Sequence, residues 1–201
     1  MSMPDTALDR RAARTTSAPV LGMVLFVASE AMFFAAFFAI YAMSYSSHAV
    51  WPPRGIPDPS LALPTVATGL MLASSAFVYA GVRGVRGGRV RRLNRWLGLS
   101  LASGAAAAAL QISGYAQAGF GIHAGIYASL FYVMTVVALA HVVGGLVLLV
   151  MVLTRAAAGR LSMARREPAE AAAIYWHFVV AISVALYAAF YVIPALHLKG
   201  S

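Results

Sequence analysis

The sequence predicts an all-α fold: a polytopic membrane bundle of five transmembrane helices, with the N-terminus cytoplasmic and the C-terminus outside. Three observations carry that expectation: an apolar composition, five long apolar runs, and an alternation of arginine clusters between the runs.

Hydrophobic residues make up 61% of the 201 residues, charged residues only 10%, and the mean hydropathy is +0.79. A soluble domain carries roughly 45–50% apolar residues, so a chain of this length has no interior large enough to hide the excess. The absence of cysteine excludes disulfide frameworks, thiolate metal sites and cysteine nucleophiles together.

A helix needs about 20 apolar residues to cross the hydrocarbon core. Five windows meet that length, at Pro19–Tyr45, Leu61–Val82, Trp96–Gln117, Ile126–Leu153 and Ala171–Leu196. The first follows Arg10, Arg11 and Arg14 but is too long for the apolar region of a signal peptide, which runs about 7–15 residues. It is expected to be a retained helix. Residues 1–18 then form a basic cytoplasmic segment, and residues 19–201 one five-helix membrane domain.

Charge gives the orientation. All but one of the fifteen basic residues are arginines, and most lie in three clusters. One precedes the first window; the second, from Arg83 to Arg95, joins windows two and three; the third, from Arg155 to Arg166, joins windows four and five. The remaining connections hold Arg54 with Asp58, then His123, then Lys199. The positive-inside rule places the clustered side in the cytoplasm. The formal charge of +9 therefore reflects membrane orientation and anionic lipid, and nucleic acid is not an expected partner. Neither a repeat nor a Gly-rich phosphate loop is present.

One acidic residue falls inside the windows, Glu30, next to Ser29. An ionised carboxylate at mid-bilayer costs about 2.5–3.5 kcal/mol on insertion scales. Glu30 is thus expected to be neutral, paired or lining water. His141, at similar depth in the fourth window, is the expected hydrogen-bond partner, and Ala138, Gly144 and Gly145 around it leave room for another helix. His177 sits at a different level in the fifth window, and His48, His123 and His197 near span ends. That scatter does not suit a haem or metal site. The aromatic group Phe33, Phe34, Phe37 and Phe38 is expected in packing or lipid contact.

Several short motifs occur in order along the chain. Ser29-Glu30 precedes the Phe33-Phe34 aromatics; Trp51-Pro52-Pro53-Arg54-Gly55-Ile56 follows the first span; Gly125-Ile126-Tyr127-Ala128-Ser129-Leu130-Phe131 opens the fourth; His141-Val142-Val143-Gly144 lies within it; and Tyr175-Trp176-His177-Phe178-Val179 lies in the fifth. Together they resemble subunit III of cytochrome c oxidase, in the short bacterial form that lacks the first two of seven helices. Val180, Ser183 and Ala138 stand where the family usually has Asp, Trp and His.

The resemblance implies a non-redox subunit of a proton-pumping haem-copper oxidase that reduces oxygen to water. Haem and copper would sit in partner subunits and none in this chain, and structural phospholipids would be retained. Its partners would be the catalytic subunit I, subunit II and membrane lipids, within a multi-pass assembly in the bacterial inner membrane that extends to a respiratory supercomplex. The roles implied are an intramembrane polar contact for Glu30, His141 and Ser29, lipid or subunit contact for Trp176, His177, Phe33 and Phe34, and an outer-face cap for Trp51, Pro52, Pro53 and Gly55. Two alternatives share the architecture: a quinol oxidase subunit III and an accessory subunit of nitric oxide reductase. A small proton-coupled transporter using Glu30 is the alternative outside that class, although the sequence lacks the internal repeats and interrupted spans of such proteins.

Overall fold

The computed structural model describes residues 17–57, 60–162 and 164–198. Most of the basic segment 1–18 lies outside them, as do Asp58, Lys199 and the His197 side chain. The described residues form helices and connecting turns, without strands. Five helices are long and apolar enough to cross a membrane: α1 (Ala18–Ser46), α2 (Ala62–Arg86), α3 (Val90–Ala116), α4 (Ile126–Ala157) and α5 (Glu167–Tyr187). A π-helical turn, Ala188–Val192, continues α5 into a short α6 (Ile193–Leu198).

Local chemistry explains the boundaries. Pro19 and Pro168 lie in the first turns of α1 and α5, where a missing N–H costs nothing. Glu167 and Glu170 occupy the first turn of α5, where their charge suits the helix dipole. Helix α2 ends in a Schellman motif: Gly88 N–H donates to Val85 O and Arg89 N–H to Gly84 O, each at 2.9 Å. The motif needs a left-handed residue, supplied by Gly88 with φ +75°. The turn is so short that α2 and α3 form a tight antiparallel hairpin, the most extensive helix pair in the bundle. Gly81 and Gly84 face the partner helix there; a Cβ on Gly81 would stand 3.2 Å from Leu93 Cδ1 and 3.3 Å from Trp96 Cβ.

Helix α5 packs against α1, α2 and α4, while α3 completes the bundle through α2 and α4. An ion pair from Arg86 Nε to Glu170 Oε1, at 2.8 Å, fixes the end of α2 beside the start of α5. The α2–α3 turn and the α4–α5 loop therefore share one end of the bundle, and this basic end carries ten of the described arginines against Arg54 at the other. The core has two parts. One, near the basic end, includes Val78, Leu93, Leu97, Leu149 and Trp176; the other is aromatic and includes Phe34, Tyr41, Trp51, Tyr127, Phe131 and Phe190. Helix α1 is the peripheral element, with only Phe34 and Tyr41 buried.

Candidate functional site

Near the middle of α1 and α4, Glu30 Oε2 lies 2.9 Å from His141 Nε2. The other ring nitrogen, Nδ1, lies 2.8 Å from the Val137 carbonyl one turn back. A carbonyl only accepts, so Nδ1 carries a proton and donates to it. Two arrangements satisfy the remaining contact: a neutral carboxyl donating to bare Nε2, or an imidazolium donating to a carboxylate. Both carry the same number of protons and no net charge. The contact thus places a carboxyl and an imidazole within the membrane span without an uncompensated ion, which removes most of the insertion penalty of either group alone.

Aromatic neighbours hold the pair in place. The edge-to-face contact of Phe34 with the His141 ring has a centroid separation of 5.1 Å, and Tyr175 Oη donates to the His141 carbonyl at 3.3 Å. Phe34 is 1% exposed, so it packs inside the bundle and not in the lipid or subunit contact expected of it. Phe33 does project outward from α1, at 45% exposure. Ser29, expected to join the polar contact, instead donates back to Phe26 O at 2.7 Å on an exposed face of its own helix. The pair itself is not sealed: the Glu30 and His141 side chains are 22% and 18% exposed.

Trp176 requires the largest correction. Expected at a lipid or subunit contact, it is fully buried at 0% exposure and joins four helices. Its indole Nε1–H donates to Ser74 Oγ on α2 at 2.8 Å, and Ser74 Oγ lies 2.8 Å from Ser100 Oγ on α3. The ring occupies a slot between glycines of two further faces. A Cβ on Gly104 of α3 would come within 2.8 Å of it, and one on Gly145 of α4 within 2.6 Å. Trp176 is therefore the packing centre of the bundle, seated in glycine-lined clefts that let helices approach closely. Its neighbour His177 is half-buried, with Nδ1 2.7 Å from Ser75 Oγ on α2; the structure assigns this side chain an internal helix contact as well.

The loop after α1 closes the aromatic end. Trp51 and Pro52 are buried and Pro53 partly so, while Gly55 takes φ +97°, a turn conformation that disfavours any side chain. Trp51 Nε1–H donates to Tyr41 Oη at 3.0 Å, and the ring packs edge-on against Tyr41 and Tyr127. Tyr41 and Tyr127 serve a second purpose that the sequence motifs did not suggest. In the π turn, Ile193 N–H bonds to Ala188 O, and Pro194 has no N–H to offer to the carbonyls of Ala189 or Phe190. Tyr41 Oη donates to Ala189 O, and Tyr127 Oη to Phe190 O at 3.0 Å. Backbone polar groups within a membrane must find such partners. Pro194, four residues after Phe190, is the signal that marks the place.

Among the described residues, no group of three or more His, Asp or Glu side chains is placed to hold a metal ion. The family model for cytochrome c oxidase subunit III matches residues 6–194. The chain belongs to the cytochrome c oxidase subunit III family. It is 31% identical over 175 residues to the cytochrome c oxidase subunit 3 of Thermostichus vulcanus, covering 87% of each chain. It is 33% identical over 175 residues to that of a Synechocystis species, covering 87% of this chain and 75% of the relative. The similarity reaches mammals, with 34% identity over 176 residues to the Mus musculus protein, covering 85% of this chain and 67% of the relative. Family membership makes the five-helix bundle a component of a multi-subunit oxidase in a membrane. The Glu30–His141 contact, the buried Trp176 and the Trp51 cap are the features by which this subunit III holds its own helices together.

Proposed function

We propose that this subunit III supports a proton-pumping cytochrome c oxidase of the bacterial inner membrane without holding haem or copper itself. It packs against the catalytic subunit I in an assembly with subunit II, retains structural phospholipids, and sustains proton uptake and turnover. The arginine-rich end faces the cytoplasm, as the positive-inside rule requires.

The observation that carries this reading is the Glu30–His141 contact, a proton-bearing pair near mid-span, partly exposed, in a chain that belongs to the subunit III family. The pair satisfies two polar groups inside the span without an uncompensated charge, which suits a structural role beside a proton-consuming partner better than catalysis. Glu30→Ala in the purified oxidase is therefore expected to leave haem content unchanged and to shorten sustained turnover or weaken retention of this subunit. Complete loss of haem incorporation would contradict the supporting role.

A further inference from the structure

The α2–α3 hairpin turn builds a basic pocket that neither the Glu30–His141 contact nor the helix packing uses. Arg83 from the last turn of α2, Arg89 from the connection and Arg92 from the first turn of α3 line one concavity, whose remaining walls are Ala80, Gly84 and Gly87. The Schellman turn creates this convergence by reversing the chain within three residues. Gly84 shapes the floor: a Cβ there would meet Cβ of Arg92 at 3.3 Å and its Cγ and Cδ at 3.5 Å, so the aliphatic stem of Arg92 lies directly across the bare backbone.

The three guanidinium groups lack the carboxylate partner that Arg86 has. Glu170 is taken by Arg86 at 2.8 Å and by Arg166 at 3.1 Å. Among the described residues no carboxylate lies within ion-pair distance of Arg83, Arg89 or Arg92. Three like charges around one hollow repel one another, and an anion placed among them relieves that repulsion. Guanidinium forks match the paired oxygens of a phosphate. Because the hollow lies where two membrane-spanning helices end, it sits at headgroup level. Trp96, stacked on Phe77 with centroids 5.6 Å apart, lies one turn further along α3, where an amphipathic ring suits the interface.

We infer that Arg83, Arg89 and Arg92 form a binding site for the phosphate of an anionic phospholipid, whose acyl chains lie along the exposed apolar face of the α2–α3 hairpin. That face presents Leu72, Tyr79 and Leu99, each at least half exposed. The inference requires only that the chain spans a membrane and does not depend on the role proposed for Glu30.

The test is native mass spectrometry of the full chain in detergent, titrated with phosphatidylglycerol and, separately, with phosphatidylcholine. Phosphatidylglycerol is expected to bind preferentially. The triple variant R83Q/R89Q/R92Q should weaken its binding by about a hundredfold, from the usual contribution of each basic residue at a membrane surface. R83K/R89K/R92K keeps the charge but loses the fork geometry, and should weaken binding by about tenfold; it also keeps the test decisive if the glutamine variant fails to fold. R155Q/R160Q, in the α4–α5 region of the same end, should bind as the native chain does, and millimolar inorganic phosphate should not displace the lipid. Native-strength binding by the lysine variant, or an equal loss in R155Q/R160Q, would overturn the site in favour of diffuse surface charge. Displacement by inorganic phosphate would overturn it in favour of a soluble-anion site.

Discussion

The strongest structural prediction concerns the slot that holds Trp176. Its ring lies between Gly104 and Gly145, with added Cβ atoms approaching to 2.8 Å and 2.6 Å. Gly145→Ala therefore forces a clash on one side of a ring that cannot retreat on the other, and overpacking of this kind costs about 1–3 kcal/mol. Trp176→Ala empties a fully buried site and removes one donor from Ser74 Oγ, which keeps its contact with Ser100; buried Trp or Phe to Ala changes cost about 3–5 kcal/mol. Trp176→Phe removes the Nε1–H bond to Ser74, a loss of about 0.6–1.7 kcal/mol inside a membrane, but leaves a smaller ring. The crowding from Gly145→Ala should then be relieved, so that the double variant is about 1 kcal/mol more stable than the sum of the single effects. Reversible unfolding in mixed micelles, followed by far-ultraviolet circular dichroism, measures the native chain and the four variants. Strict additivity, or a Trp176→Ala variant within 0.5 kcal/mol of the native chain, would refute Trp176 as the packing centre.

Other contacts make narrower predictions. In a double-mutant cycle by the same unfolding assay, Glu30→Gln and His141→Ala should show coupling of about 1 kcal/mol across their 2.9 Å contact; zero coupling would remove the pair from the account. Tyr127→Phe should leave the Phe190 carbonyl unsatisfied and destabilise the chain by about 1 kcal/mol, with faster amide exchange confined to residues after Tyr187. Glu170→Gln should cost less than about 1 kcal/mol, because the Arg86 and Arg166 side chains are 61% and 43% exposed. The effect should fade as salt is raised.

The spans were legible because membrane thickness imposes a length on any apolar run. Four of the five helices begin within about four residues of the apolar windows. Helix α3 begins at Val90, six residues before Trp96, because Arg91, Arg92, Asn94 and Arg95 are helical without being apolar. Hydropathy cannot register a helical turn that projects beyond the hydrocarbon. The Glu30–His141 contact was also legible, since two ionisable groups at similar depth have few alternatives to each other. Which apolar side chains face inward was not. In α1, α4 and α5 the residues are apolar around the whole circumference, because lipid and core make the same demand. Phe34 and Trp176 thus looked no different in the sequence from outward-facing Phe33 and Met32. The glycines Gly104 and Gly145 were the available sign of a large buried partner, but only the three-dimensional arrangement pairs them with Trp176.

The central claim is that this chain serves as a supporting subunit of a haem-copper oxidase. Mild detergent extraction with a tag on the chain, followed by a haem spectrum, metal analysis and identification of the copurifying subunits, tests it most directly. The expected result is haem and copper recovered with a large multi-helix partner, and both remaining with that partner when this chain is stripped from it. A haem-free, self-associated particle with solute-uptake activity would contradict it.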